Sequence, residues 1–299
     1  MTPTPLDEAT LSGRQLLLKR EDLHELGAFK WRGALPALDR YAADGARAVV
    51  TASTGNHGAA TAWAAERVGI DAIVYAPATT SRAKLALIED GGAEIRQTGA
   101  DLDEAKEEAR AFASQRGLPF FEDGAEPDQY AGYEAIGNEI LAQTSETPGG
   151  IVVPLGNGAL LGGVGRAVLR SAPDVERIGA AAKEAPVMVD SWKAGEPVPG
   201  DRSATFADGL AVRVAIPFAV GVLGEVATRM VVVSERRIAQ AVADFATAGI
   251  RAEGAAAAAL AAISELDDLT DPLVLIVTGR NIDDDLFTRA CEQPGSFPD

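Results

Sequence analysis

Histidine and cysteine are nearly absent: the 299-residue chain holds two of the first and one of the second. A lone Cys291 excludes an internal disulfide, and so few ligands rule out a clustered zinc centre, so we expect no metal site. Basic residues are scarce as well. Lys and Arg number 27 against 44 Asp and Glu, a net charge of −17, which argues against nucleic acid and anionic membranes as partners. An anionic ligand then needs its own local cradle. Apolar runs are short, none reaching the ~18 residues that span a bilayer. The start, Met1-Thr2-Pro3-Thr4-Pro5, lacks the basic and apolar regions of a signal peptide, so we expect a cytoplasmic protein.

What is present fits an α/β enzyme: 47% hydrophobic residues, with 31 Gly and 16 Pro. The length sits where single cores stop growing, which predicts two lobes. Short apolar strands at 15–19, 48–51, 72–75, 93–96, 151–154, 178–181, 231–233 and 273–277 alternate with helical patterns, and 119–121 resembles another short strand. Such alternation calls for parallel sheets with helices on both faces. Residues 193–209 read as a long surface loop. No repeat of 20–50 residues is present, which excludes a solenoid.

Four stretches carry chemistry. Lys30 lies between Phe29 and Trp31, with Gly27-Ala28 before and Gly33-Ala34 after. That tight, apolar setting suits an amine desolvated enough to attack a carbonyl, although a helix lysine beside a buried aromatic looks the same. Gly156-Asn157-Gly158-Ala159-Leu160-Leu161-Gly162-Gly163 follows a strand and opens a helix, where free N–H groups and the helix dipole hold a phosphate. It misses the dinucleotide fingerprint by one place, since the sixth residue is Leu161, and no Walker lysine follows. A monophosphate cup or a plain turn remains. Ser53-Thr54-Gly55-Asn56-His57-Gly58 is a second such junction, with more hydrogen-bonding side chains than one helix cap needs; neutral donors there suit a carboxylate or a phenolate oxygen. Thr278-Gly279-Arg280-Asn281 follows the last buried strand, and ligands of parallel sheets sit at such strand ends.

Taken in order, these stretches resemble the fold-type II pyridoxal phosphate enzymes, in particular the threonine/serine dehydratase and serine racemase group. The resemblance rests on Lys19 to Leu23 with Gly27 to Ala34, Ser53 to His57, Pro154 to Gly163, Ala207-Asp208-Gly209, Glu253 to Ala256 and Thr278 to Asn281. It implies the two-domain tryptophan synthase β-like fold, with residues 1–47 and 127–299 as a large cofactor-binding domain and 48–126 as a small one. It also implies a Schiff base between Lys30 and pyridoxal 5′-phosphate, with Lys30 as base on the substrate Cα. Phe29 would pack on the ring, Asn56 would bind the phenolic oxygen, and Gly156, Asn157, Gly158, Ala159 and Leu160 would hold the phosphate. Thr278 would face the pyridine nitrogen. Ser53, Thr54, Gly55 and His57 would receive the substrate, with the Thr54 hydroxyl on the opposite face of Cα. The expected reaction is β-elimination from a hydroxy amino acid to a 2-oxo acid and ammonia, since a neutral partner on the ring nitrogen makes a weaker electron sink. Replacement chemistry of the threonine-synthase or cysteine-synthase kind, racemisation and a non-catalytic binding relative are the alternatives. A homodimer is implied too.

The chain departs from the group's pattern in places. Asn157 and Ala159 stand where glycines are usual, and Thr54 stands where the racemase has serine. Gly132-Tyr133-Glu134-Ala135 replaces Gly-Gln-Gly-Thr, which points to Tyr133 and Glu134 as neighbours of an unusual substrate side chain. Arg280 replaces a glycine and is expected to face solvent. Asp208 has no acidic partner between Arg202 and Ala207, which argues against the cation site of some relatives. No regulatory domain follows, so control by an allosteric amino acid is not expected.

Overall fold

Five-residue apolar runs make the sheet centres, because strands covered by helices on both faces bury every side chain. The computed structural model describes residues 2–299. In chain order its strands are β1 (Leu6–Leu11), β2 (Arg14–Arg20), β3 (Ala48–Ala52), β4 (Asp71–Ala76), β5 (Glu94–Gln97), β6 (Gly150–Pro154), β7 (Glu176–Ala182), β8 (Arg229–Val233) and β9 (Leu273–Val277). The helices are α1 (Trp31–Ala43), α2 (Asn56–Val68), α3 (Arg82–Glu89), α4 (Leu102–Arg116), α5 (Pro127–Gln143), α6 (Ala159–Ser171), α7 (Val187–Ala194), α8 (Pro217–Val226), α9 (Glu235–Thr247), α10 (Gly254–Ala261) and α11 (Asp284–Glu292). The chain divides into two compact units, one made of residues up to Phe29 with Tyr133–Asp299, the other of Lys30–Gly132.

The first unit is built on a six-stranded sheet in the order β1-β2-β9-β6-β7-β8. Only β1 runs antiparallel, against β2; the other pairings are parallel. All five residues of β6 and of β9 are buried. The alanine-rich α10 is buried along its whole length and packs on β6, β7 and β9, where small side chains allow a close approach to the sheet. The second unit has the parallel sheet β3-β4-β5. Ala105, Ala109 and Ala113 form a stripe at four-residue spacing on α4 that packs with Val50, Ile73 and Tyr75. Phe120 extends this sheet by a parallel bridge to Val50, as the short strand read at 119–121 requires.

The expected small domain, 48–126, lies inside the second unit, which also takes 30–47 and 127–132. The reason is packing: α1 lies along α2, and Trp31 meets the Trp63 ring edge-on at 6.0 Å. Arg40 on α1 ties down the start of α5, with Nη2 on Glu126 at 2.8 Å and Nε on Asp128 at 2.5 Å. Strand β1 and helices α7, α8 and α11 lie outside the elements read from the sequence. The pattern of β1 shows why, since its residues are mostly half-exposed at a sheet edge and lack an apolar run.

Candidate active site

In the first unit two strand ends carry candidate binding groups. After β6 the backbone turns into α6 through Leu155 to Gly158, and Gly158 caps the helix with φ of +90° and no side-chain bond. A Cβ on Gly158 would lie 2.7 Å from Leu223 Cδ1, and one on Gly156 would lie 2.5 Å from the Gly209 carbonyl oxygen. Gly156 is therefore glycine because the Ala207-Asp208-Gly209 segment crosses it, and Gly158 because the backbone is left-handed there. The first turn of α6 offers its N–H groups to an anion. One is already engaged: Ala159 N donates to Asn157 Oδ1 at 3.1 Å.

At the end of β9, Thr278 is 2% exposed, and its Oγ1 has no hydrogen-bond partner among the described residues. A buried hydroxyl left unmade costs about 1–3 kcal/mol, so it asks for a partner that the protein does not supply. The Thr278 carbonyl accepts from Phe29 N at 3.0 Å, which fixes Phe29 beside the strand end. The Phe29 ring lies 5.2 Å from that of Tyr133. Arg280 does not face open solvent: its Nη1 donates to the Asp22 carbonyl oxygen at 2.5 Å. Glu134 is drawn to Arg170, which donates to its Oε2 at 2.7 Å on the surface of the unit. Tyr133 beside it is fully buried.

In the second unit Lys30 precedes α1, and its Nζ donates to Asp123 Oδ2 at 2.5 Å. The setting read as apolar thus contains a carboxylate. Asp123 Oδ1 accepts from Gln129 Nε2 at 3.0 Å and lies 3.7 Å from His57 Nδ1. Burial opposes its ionisation, but the Lys30 ammonium and the hydrogen bonds from Lys30 and Gln129 outweigh it and hold the carboxyl well below the usual carboxylate range. The sequence reading does not single out Asp123; it follows Phe120, which extends the sheet beside Val50, and so lies at a strand end of the kind where ligands of parallel sheets sit.

The turn after β3 is built from side chains. Ser53 Oγ accepts from Gly55 N at 3.1 Å, and α2 starts at Asn56 behind an extended Gly55 without a side-chain cap. Thr54, Gly55 and Asn56 are half-buried. His57 is committed within the unit: its Nε2 lies 3.0 Å from Thr51 Oγ1 and 3.4 Å from the Phe121 carbonyl oxygen. Thr51 gives its own proton to that carbonyl at 2.7 Å, so the proton between the two belongs to His57 Nε2. Burial, together with the Lys30 charge and against Asp123, pushes the ring below the ordinary histidine range and keeps it neutral. His57 Nε2 is thereby engaged inside the unit, by Thr51 and the Phe121 carbonyl.

Comparison with known proteins bears on these arrangements. Residues 1–279 match the model of the family described as pyridoxal-phosphate dependent enzyme. The chain is 34% identical over 275 residues to the L-threonine ammonia-lyase of Geobacter sulfurreducens, covering 91% of this chain and 68% of that protein. It is 32% identical over 282 residues to the L-threonine ammonia-lyase of Thermotoga maritima, covering 93% and 70%. Among solved structures, the processed form of threonine deaminase isoform 2 from Solanum lycopersicum superposes with a TM-score of 0.91 at 28% identity, over 97% of this chain and 88% of that one. A fold of parallel sheets flanked by helices, the ordered motifs and these matches agree: the chain belongs to the pyridoxal-phosphate dependent enzyme family, as a lyase of its threonine/serine dehydratase group.

Proposed function

We propose that the protein removes the β-hydroxyl of a hydroxy amino acid and yields a 2-oxo acid and ammonia, with Lys30 as the amine that binds the cofactor aldehyde and then as the base at Cα. The observation that carries the reading is the buried Thr278 hydroxyl, which the protein leaves without a partner among its described residues. A pyridine nitrogen is an acceptor of the right kind for it, and a neutral hydroxyl leaves that nitrogen uncharged. The turn from Gly156 to Leu160 suits the phosphate: its two glycines let the backbone bend close past Gly209 and Leu223, and the first turn of α6 presents N–H groups. When bound, pyridoxal phosphate supplies the sink for the electron pair released at Cα.

The remaining roles belong to the chain. Phe29, held by its amide on the Thr278 carbonyl, covers one side of the ring. Asn56, at the first position of α2, serves the phenolic oxygen. Ser53, Thr54 and Gly55, with the uncapped N–H groups of α2, take the substrate carboxylate, and the Thr54 hydroxyl acts opposite Lys30. The resemblance supports a homodimer, which sedimentation of the purified protein tests. A screen of amino acids for release of 2-oxo acid and ammonia tests the activity. Acid appearing only when a second nucleophile is added would overturn elimination in favour of replacement. Borohydride reduction should fix the cofactor to Lys30, and Lys30→Ala should stay colourless with added pyridoxal phosphate.

A further inference from the structure

Asp123 is held as few surface carboxylates are. Gln129 uses both ends of its amide to fix the turn, Nε2 donating to Asp123 Oδ1 at 3.0 Å and Oε1 accepting from Gly124 N at 2.8 Å. The Tyr130 hydroxyl closes the same turn on the Gly124 carbonyl at 2.8 Å. One carboxylate oxygen is thereby anchored and the other is presented to Lys30 Nζ at 2.5 Å. In the proposed reaction Lys30 becomes a free amine once substrate has displaced it from the cofactor, and this carboxylate oxygen lies within its reach.

We propose that Asp123 is the counter-ion that receives the released Lys30 and stabilises it while it carries the proton taken from the substrate Cα. The proposal rests on the reading of Lys30 as that base. In the step, the Cα–H bond breaks with its electron pair passing to the sink, and the Nζ lone pair takes the proton to become an ammonium. Asp123 stays ionised throughout, paired with the new charge by a charge-assisted hydrogen bond. The ammonium returns its proton to the departing hydroxyl as the β C–O bond breaks and the electron pair from Cα forms the Cα–Cβ double bond; water leaves, and Lys30 is again a neutral amine. Asp123 is thus a positioning residue that acts through Lys30. An unpaired ammonium in so enclosed a place would be costly, and the anchored carboxylate removes that cost before the proton arrives.

The role predicts opposite effects on two rates. In the cofactor-free protein the ion pair occupies the amine that must attack the aldehyde, so Asp123→Asn should capture pyridoxal phosphate faster, by about 10-fold, as read by the growth of visible absorbance. In the loaded protein the same variant should exchange the Cα proton of L-alanine with deuterated solvent about 10- to 100-fold more slowly, the worth of one hydrogen bond to a charged group. L-Alanine has no β leaving group, so the exchange reports the proton step alone. Asp123→Glu should restore part of the exchange rate. Where the asparagine variant does not fold, Asp123→Ser should show the same opposite signs. A merely structural residue would lower both rates together, and that outcome, or no change in either, overturns the proposal. A wild-type protein that captures no pyridoxal phosphate overturns the reading of Lys30 as well, whereas capture by wild type with coincident falls in the variant overturns the role of Asp123 alone.

Discussion

Two turns of this chain do the same topological job with different materials. Both leave the end of a buried parallel strand and start a helix, β3 into α2 and β6 into α6. The turn after β6 is almost all backbone, with Gly158 at φ +90° and Gly156 pressed against the Gly209 carbonyl. The turn after β3 is built from side chains, and its glycine, Gly55, sits in extended backbone at φ −173° with nothing within 4 Å of a Cβ. A phosphate keeps its charge through a reaction, so a rigid set of N–H groups serves it without adjustment. In the proposed roles the substrate carboxylate arrives and leaves with every turnover, and rotatable hydroxyls and amides would suit it better. The same residue type therefore has different reasons in the two places.

Alanine at the three glycines is the strongest way to break this comparison. Gly156→Ala would drive a Cβ to 2.5 Å from a backbone oxygen that cannot swing away, and Gly158→Ala would force a left-handed alanine against Leu223. Each should weaken pyridoxal phosphate binding by about 100-fold, near 3 kcal/mol. Gly55→Ala should leave it within about twofold. Titration of visible absorbance on the three variants measures all of this; equal losses at Gly55 and Gly156 would erase the distinction between the turns.

The turn built from side chains carries a titratable ring, and it should pay for that in acid. His57 is held below its unfolded value, so the folded chain refuses a proton that the unfolded chain accepts. Above about pH 6.5 both forms are neutral and nothing is lost. Below it, stability should fall, at up to about 1.4 kcal/mol per pH unit until the folded ring titrates. Asp123 works in a lower window: its stabilising contribution is present above the unfolded carboxylate value and is lost only as the pH falls from about 3.9 toward its depressed folded value. Denaturant unfolding between pH 7 and 5 therefore reports His57, and His57→Gln should flatten the profile there. An unchanged profile would mean that the ring titrates alike in both states.

Thr278 offers a test with two signs. Thr278→Val keeps the shape and removes a buried hydroxyl that lacks a protein partner among the described residues. The cofactor-free protein should gain about 1 kcal/mol, and cofactor affinity should fall about 10-fold. If stability falls as well, the hydroxyl already has a partner and its claim on the ring nitrogen weakens.

Most of the scaffold was legible because its information is local. Buried strands such as Val274 to Val277 announce themselves by apolar runs, and helices such as 101–116 by spacing and a closing glycine, Gly117, which sits at φ +64°. The site was legible only in its backbone parts and in motifs that keep their order. The polar strand β1 escaped because an exposed edge needs no apolar run. The pairing of Glu134 with Arg170, 36 residues away, leaves no local mark in the sequence either. Asp123 escaped for a similar reason, since its meaning depends on Lys30, 93 residues before it. The division at Phe29 and Gly132 is likewise set by how α1 packs, which no local pattern records.

The smallest expected effect concerns the one side chain that intrudes on the backbone-built turn. Asn157 Oδ1 occupies the Ala159 N–H, a first-turn donor of α6 that would otherwise point at an anion. Phosphate binding must either displace that amide or do without the donor. Asn157→Gly removes the competitor and should tighten pyridoxal phosphate by about 3- to 5-fold, less than 1 kcal/mol. The added backbone freedom of glycine should cost the cofactor-free protein roughly 0.5–1 kcal/mol, so affinity and melting temperature should move in opposite directions. Weaker binding by the variant would mean that the Asn157 side chain itself contacts the phosphate, which would make this turn, like the one after β3, partly a side-chain device.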